Sequence, residues 1–422
     1  MGPFPARASM RTMADPMFVA LFATLDTKGR EAMFVCEELA RQGIRTRLVD
    51  TSGLESTSHK ADVSREEVFA AAGVELAALR DRAHAVTAAA QGAAVLARRW
   101  HAAGELAGVF GLGGSAGTTI GTSAMRALPI GVPKLMVSTL ASGSVGAYVG
   151  TKDILMMNSV VDVSGINRIS RAVLSRAVQA MAGMASAGAL REERKDKPLI
   201  AATMFGVTTP CVEHARGLLE RAGYEVLVFH ATGTGGRAME DLIEDGVIAG
   251  VLDATTTELA DEHVGGFLSA GPERLTAAGR RGVPQVISVG AVDMVNFHGR
   301  ASVPERFSAR KFHRHNDNVT LMRTTAEENR AIGREIASKA RVATGPVEIY
   351  LPCRGVSAID IAGGSFDDPA ARAALFEGVR SSCGAVPVRE LDLHINDPAF
   401  AEAMVEGLLQ LIGARREALT PR

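Results

Sequence analysis

Short apolar runs alternate with amphipathic stretches along the chain, a pattern typical of α/β proteins. Met17–Thr24 (MFVALFAT) predicts a buried strand, Arg30–Gln42 an amphipathic helix and Thr46–Asp50 a second strand. A strand, a helix and a strand in this order predict a βαβ unit with parallel strands. Polar residues follow both strands, and open parallel sheets bind ligands at that edge.

The same order of elements begins again in the second half. Leu190–Pro198 (LREERKDKP) is a charged run that ends in proline, and it predicts a domain boundary. Leu199–Met204 is the first strand after it. The sequence therefore predicts an α/β protein with two Rossmann-like, doubly wound domains and mainly parallel sheets. The predicted segments are a disordered leader at 1–16 and domains at 17–190 and 198–422.

The most informative stretch is Leu106–Thr139 (LAGVFGLGGSAGTTIGTSAMRALPIGVPKLMVST). It predicts a strand, a glycine-rich turn, a helix from about Thr118 and a second strand. Backbone N–H groups and the helix dipole meet at such a turn, which favours phosphate or another anion. The alternative is that the glycines only let helix and strand pack closely. The candidate ligand-binding positions here are Gly111, Gly113, Gly114, Ser115, Gly117, Thr118 and Thr139.

Two nucleotide-binding patterns are only partly met. The glycine spacing satisfies the loose dinucleotide pattern, but no Asp or Glu occurs between Glu105 and Asp153, where the ribose-binding acid is expected. The triphosphate-loop pattern fails because threonine, not lysine, follows Gly117. Asp26 and Lys28 follow the first strand and are further candidates. The lysine could neutralise phosphate, or be only a solvated lysine of the first helical turn; the aspartate could hold Mg²⁺ through water.

Two polar stretches of the second half are candidates for catalysis. His230–Gly236 (HATGTGG) is another glycine-rich turn after a strand, and His230 could act there as general acid or base. The alternative is a histidine held by neighbouring backbone. Arg310–Arg323 (RKFHRHNDNVTLMR), in a region of less regular pattern, could bind a metal, clamp an anion or form a solvated or intersubunit surface. The residues expected to face a substrate are His230, Arg323 and Glu328.

Composition narrows the classes of function. The net charge is −1 and aromatic residues make up 5% of the chain, so nothing favours nucleic acid or an anionic membrane as partner. No apolar run is long enough to span a bilayer. The four cysteines lie far apart and form no CxxC pair, which is typical of reduced thiols. We therefore expect a cytoplasmic protein without a membrane or nucleic-acid partner.

Several longer motifs resemble one known family. It contains the inhibitory N-terminal domain of a plant tobamovirus-resistance protein and many uncharacterised microbial proteins. The resemblance covers residues 17–412, with one departure at Asp317, where a proline is expected. The motifs that carry it are Phe22–Lys28, Gly111–Thr118, Thr139–Gly143, Thr151–Asp153, His230–Glu240, His315–Asn316, Thr320–Thr325, Gly355–Asp360 and His394–Asp397.

The resemblance implies two Rossmann-like subdomains, ATP binding and self-association into a homodimer or a larger homo-oligomer. In the plant protein, the domain binds a viral replication protein. Our hypothesis is an ATP-binding protein, with Mg²⁺ as the expected counter-ion, that acts on a small metabolite in a cleft between its domains. One alternative is a non-catalytic regulatory or scaffold protein that binds ATP and a protein partner. The other is a dehydrogenase, which the missing ribose acid disfavours. The substrate and metal stay open.

Overall fold

The computed structural model describes residues 17–53, 57–187 and 196–419. They form two compact α/β units, unit 1 before residue 195 and unit 2 from that residue on. Each unit is built on a parallel sheet, and this confirms the Rossmann-like, mainly parallel fold class. The predicted leader at 1–16 and the charged residues 190–195 of the predicted boundary lie outside the described residues.

Unit 1 is a five-stranded parallel sheet in the order β2-β1-β3-β4-β5. The strands are β1 (Phe18–Ala23), β2 (Thr46–Asp50), β3 (Leu106–Gly113), β4 (Lys134–Ser138) and β5 (Leu155–Asn158). The helices are α1 (Leu25–Arg41), α2 (Arg65–Ala71), α3 (Arg82–Ala102), α4 (Ser115–Arg126), α5 (Gly146–Val149) and α6 (Arg168–Ala187). The winding of the chain reverses between β1 and β3, and open sheets bind ligands at such a point.

Helices cover both faces of the unit 1 sheet, which is why β1 is apolar at every position. Phe18 and Phe22 point to a core shared with α2, α3 and α4. Val19 and Leu21 point to a second core shared with α1 and α6. A strand buried on both faces loses the polar alternation of a half-exposed strand, so it is recognisable from sequence as a short apolar run.

Unit 2 is a six-stranded parallel sheet, β14-β13-β9-β8-β6-β7, with a small antiparallel sheet, β10-β12-β11. The strands of the parallel sheet are β6 (Leu199–Met204), β7 (Glu225–His230), β8 (Ile248–Thr255), β9 (Gln285–Gly290), β13 (Val347–Pro352) and β14 (Val388–Leu391). The antiparallel strands are β10 (Met294–Phe297), β11 (Phe312–Asn316) and β12 (Val319–Arg323). The helices are α7 (Thr209–Arg221), α8 (Thr234–Glu244), α9 (Thr257–Val264), α10 (Ala277–Arg281), α11 (Ala326–Arg341), α12 (Pro369–Ser382) and α13 (Pro398–Leu419). None of the described helices has the length and apolar character needed to cross a bilayer.

Candidate functional site

A cavity of about 320 Å³ opens at the carboxyl-terminal edge of the unit 1 sheet. The loops after β1 and β2 and the first turns of α3 and α4 surround it. Ala85, Val86 and Ile120 give it an apolar wall. The polar residues that line it are Thr24, Asp26, Thr27, Thr51 and Arg82. The cavity therefore lies where the winding of the sheet predicts a ligand site.

The hydroxyl of Thr51 is the most informative polar group of this cavity. Thr51 is only 2% exposed, and its Oγ1 has no hydrogen-bond partner among the residues that the structure describes. A buried hydroxyl without a partner is unfavourable, because it has lost its bonds to water and gained none in return. Thr46, Thr257, Asp293 and Asn296 also have a buried polar atom without a partner in the described chain, but of these five residues only Thr51 lines the cavity, so its hydroxyl is the candidate contact for a ligand there.

The amino terminus of α4 lies beside the cavity and is a candidate anion site. The first intrahelical bond runs from the Thr118 amide to the Gly114 carbonyl, over 2.8 Å. The three preceding amides, of Ser115, Ala116 and Gly117, therefore have no partner within the helix. In the described part of the chain no side chain caps this helix. Since Ala116 also lines the cavity, these amides can bind an anionic group of a ligand held there.

Packing explains most of the glycines that precede or begin α4. Gly111 lies inside β3, and a Cβ there would fall 2.6 Å from the sulfur of Met136. Gly113 has φ of +150°, and a Cβ there would lie 3.1 Å from the Cα of Gly117. A Cβ on Gly117 would lie 2.8 Å from the Leu112 carbonyl oxygen. These three glycines serve the close contact between strand and helix, as the packing alternative requires.

Gly114 is different, because the fold leaves room for a side chain there. The nearest atom to a Cβ on Gly114 would be Thr139 Oγ1 at 3.7 Å, an ordinary contact. The Thr118 hydroxyl is buried and bonds to the Gly114 carbonyl at 2.8 Å and to Ser138 Oγ at 2.7 Å, so it supports the turn from inside. Ser115 is exposed and Thr139 half-buried at the mouth of the turn.

The residues after β1 form the first turn of α1 rather than the predicted loop. The Leu25 amide donates to Asp50 Oδ1 (3.4 Å), and the Asp26 amide donates to Ser52 Oγ (3.0 Å). Side chains from the end of β2 thus satisfy the amino terminus of α1. The helix is kinked at Lys28, which has φ of −125° and ψ of 16°. Asp26 lines the cavity, whereas Lys28 is half-buried and is not among the residues that line it.

The second glycine-rich turn, before α8, already holds a carboxylate of the protein. Glu258 Oε1 accepts hydrogen bonds from the amides of Gly233 (2.6 Å) and Gly236 (3.0 Å). Arg274 Nε donates to Glu258 Oε2 at 2.6 Å, so the anion also has its counter-ion. Arg274 in turn forms a bidentate pair with Asp253, at 2.6 and 2.7 Å. This turn therefore binds an anion that belongs to the fold.

The three residues expected to face a substrate have separate environments in unit 2. His230 is exposed at the end of β7 and packs edge-on against Phe205, with ring centroids 5.5 Å apart. Arg323 is 4% exposed, and its Nε donates to the Phe366 carbonyl at 2.9 Å. Arg323 also approaches Asp360 Oδ1 at 3.4 Å. The guanidinium of Arg323 is thus engaged inside the protein and does not reach solvent.

Glu328 has a structural role at the amino terminus of α11. It forms a capping box with Thr325 and a bidentate pair with Arg310, at 2.9 and 2.6 Å. Burial disfavours its charged form, but the hydrogen bonds from Arg310 and from the Thr325 backbone outweigh burial and lower the pKa of Glu328. Its carboxylate is fully occupied by these partners, so it is a poor candidate for proton transfer.

The basic, histidine-rich stretch forms β11 and β12. His313 Nδ1 lies 3.1 Å from Ser365 Oγ, and His315 is exposed. Within residues 17–53, 57–187 and 196–419 no group of three or more His, Cys, Asp or Glu side chains could hold a metal ion. The solvated-surface alternative fits this arrangement best.

Sequence reasoning indicated the sheet edge of this site but missed some of its residues. Polar residues after β2 were expected there, yet Thr51 was not singled out. Arg82 was missed as well, since it comes from the first turn of α3, which neither precedes nor follows a glycine-rich turn. A signal for it existed: Asp81 caps α3 and fixes where that helix begins, with its carboxylate accepting from the His84 amide at 2.8 Å.

The fold and the site define a two-unit α/β protein with Rossmann-like sheets and, in unit 1, a cavity beside a helix terminus that no described side chain caps. Residues 17–189 match the N-terminal domain of the Uncharacterised protein family (UPF0261), and residues 197–412 match its C-terminal domain. The chain therefore belongs to the UPF0261 family. It includes microbial proteins and the tomato Tm-1 proteins.

Relatives cover most of the chain. A UPF0261 protein of Clostridium tetani is 46% identical over 399 residues, which is 93% of this chain and 98% of that protein. One from Rhizobium meliloti is 49% identical over 393 residues, or 92% and 97% of the two chains. The ToMV resistance protein Tm-1(GCR237) of Solanum lycopersicum is 48% identical over 315 residues, or 73% of this chain and 42% of that protein.

Solved structures are only distantly similar. The UDP-N-acetylglucosamine 2-epimerase from Rickettsia bellii matches 96% of this chain and 99% of that chain, with 8% sequence identity and a TM-score of 0.23. A similarity with this identity and this TM-score supports no statement about function.

Proposed function

We propose that unit 1 binds ATP, with the phosphates at the amino terminus of α4 and the nucleoside in the adjoining cavity. The observation that carries this proposal is the buried Thr51 hydroxyl, which has no hydrogen-bond partner among the described residues and belongs to a residue that lines the cavity beside the uncapped terminus of α4. A volume of about 320 Å³ is within the usual range for small-molecule sites. The resemblance to the plant tobamovirus-resistance family favours ATP among nucleotides.

Comparison of three helix termini supports this choice of site. Asp50 and Ser52 satisfy the amino terminus of α1, and Glu258 that of α8. At α4 the described residues offer no such group. The positive end of a helix dipole attracts an anion, and at the amino terminus of α4 no described side chain occupies that position. Arg82 at the cavity wall adds positive charge that suits a polyphosphate.

The proposal concerns binding and assigns no catalytic residue. Arg323 and Glu328 form hydrogen bonds within the protein, so we propose no catalytic role for either residue. The identity with a protein named for ToMV resistance favours a second candidate, a regulatory or scaffold protein that binds ATP without consuming it. Steady-state measurement of ATP hydrolysis distinguishes it from an enzyme. Self-association and a substrate site between the two units stay predictions.

Thermal unfolding with and without Mg-ATP tests the proposal. Ligand at about a hundred times its dissociation constant stabilises the folded state by about 2.7 kcal/mol, which raises the melting temperature measurably. NAD and NADP are the comparison ligands, since they test the dehydrogenase alternative. If no nucleotide at millimolar concentration raises the melting temperature, the proposal is wrong.

A Thr51→Val variant links the effect to this cavity. The two side chains have nearly the same shape, and the lost hydroxyl has no partner in the part of the chain that the structure describes, so the free protein should be as stable as the wild type or slightly more stable. Its affinity for ATP, measured by calorimetry, should fall by about three- to tenfold, because a net hydrogen bond is worth roughly 0.5–1.5 kcal/mol. Unchanged affinity would move the ligand away from Thr51.

A further inference from the structure

We infer that Asp26 binds the ribose of the nucleotide, so that the site selects ribonucleotides over 2′-deoxyribonucleotides. This inference rests on the proposed ATP site and adds the group that the cavity recognises. Asp26 is the carboxylate that lines the cavity. In the described chain its side chain forms no ion pair, and Oδ1 accepts a hydrogen bond from the Thr27 hydroxyl at 3.2 Å. The carboxylate therefore retains acceptor capacity for a ligand.

The other acid at this edge of the sheet is not available. Asp50 ends β2, the position that supplies the ribose acid in many dinucleotide-binding folds. Here it is 4% exposed and accepts hydrogen bonds from the Leu25 amide and from the amide and hydroxyl of Ser52. Asp50 thus joins the amino terminus of α1 to the residues that follow β2. Asp26, in the first turn of α1, is left to line the cavity.

The chemistry of a nucleotide then decides which part Asp26 contacts. An ionised carboxylate only accepts hydrogen bonds, and the phosphates also only accept, so the two repel unless a cation lies between them. The ribose hydroxyls are donors. The apolar wall of Ala85, Val86 and Ile120 suits the base, and the amino terminus of α4 suits the phosphates. ATP has two donor groups, the ribose hydroxyls and the adenine amino group. We assign the ribose to Asp26 because it joins the base to the phosphates.

Calorimetric titration with ATP and 2′-deoxy-ATP tests this assignment in the full-length protein. The wild type should bind ATP about tenfold more tightly, because a hydrogen bond to a charged group is worth roughly 1.5–3 kcal/mol. Asp26→Ala should bind ATP about tenfold more weakly and no longer discriminate between the two ligands. Glu37→Ala is the matched control: it removes one exposed carboxylate from the same helix, α1, and should keep both affinities.

The outcomes separate this inference from the proposed function. If the wild type binds both nucleotides equally, or if Asp26→Ala still discriminates, the ribose assignment is wrong while the ATP site stands. If Asp26→Ala loses affinity only when Mg²⁺ is present and regains it in EDTA, Asp26 holds the cation, and the assignment is wrong in that case also. If the wild type binds neither nucleotide, the proposed function is wrong and the ribose assignment with it.

Discussion

Gly114→Ala is the sharpest test of the α4 turn, because the fold can accept the new methyl group and a bound phosphate cannot. Gly114 has φ of −81° and ψ of −152°, so its backbone is extended and does not require glycine. The nearest protein atom to the added Cβ would be Thr139 Oγ1 at 3.7 Å. We expect the free energy of unfolding to stay within about 0.5 kcal/mol of the wild type, as for other substitutions without a clash.

The effect on binding should be much larger. Glycine lets a ligand approach the backbone closely, and a Cβ at the mouth of the turn would hold an anion off the amides of α4. Loss of about two hydrogen bonds to a charged group, each worth roughly 1.5–3 kcal/mol, should weaken ATP binding by a hundredfold or more. Calorimetric titration measures the affinity, and urea denaturation measures the stability of the same sample.

Gly117→Ala is the matched control, because its Cβ would lie 2.8 Å from the Leu112 carbonyl oxygen. This crowding should destabilise the fold by roughly 1–3 kcal/mol. The pair thus separates a glycine kept for packing from one that leaves room for a ligand. If Gly114→Ala binds ATP with wild-type affinity while folded, phosphate does not lie at this turn. If Gly114→Ala loses as much stability as Gly117→Ala, the added methyl group perturbs the fold. Weaker ATP binding by that variant would then not show that phosphate lies at the α4 turn.

Two further predictions concern buried carboxylates of unit 2. Glu258→Gln should destabilise the fold by roughly 3–5 kcal/mol in urea denaturation, since Arg274 would lose a buried partner, whereas the exposed Glu225→Gln should change little. Burial raises the pKa of Asp261 to about 7, while the unfolded value is near 3.8. Between these values the folded state binds the extra proton, so stability should fall as pH rises from about 4 to 7. Asp261→Asn should reduce that slope, and an unchanged slope would show that Asp261 does not cause it.

Strands were predictable from sequence where burial is local. Thr46–Asp50 and Leu199–Met204 were predicted with the bounds that the structure shows, because each contains neighbouring apolar residues that are buried, Leu48 and Val49 in the first and Ile200–Ala202 in the second. The start of α1 was predicted at Arg30 but lies at Leu25. The side chains that satisfy its first amides come from the end of β2, some 25 residues away, so no local signal marks them.

The ribose acid shows a limit of motif spacing. The dinucleotide pattern expects an acid about twenty residues after the glycines, because there the glycine-rich turn follows the first strand. In unit 1 the glycine-rich turn follows β3, and the neighbouring strand β1 comes earlier in the chain. An acid that follows β1, such as Asp26 in the first turn of α1, therefore precedes the glycines in sequence although β1 and β3 are neighbours in the sheet. The absence of an acid after Glu105 was correctly observed, but it does not count against a ribose site in this topology.

The two glycine-rich turns look alike in sequence and differ in what fills them. Both follow a parallel strand and begin a helix, so both place backbone amides around one point. In unit 2 the anion is Glu258, 22 residues beyond Gly236 in the chain and paired with Arg274. Because Glu258 already occupies that turn and is paired with Arg274, a second anion would have to displace it from a buried ion pair. A phosphate at α4 would not have to displace a carboxylate of the described chain. For this reason we assign ligand binding to the turn that the protein leaves uncapped and stability to the turn that it fills.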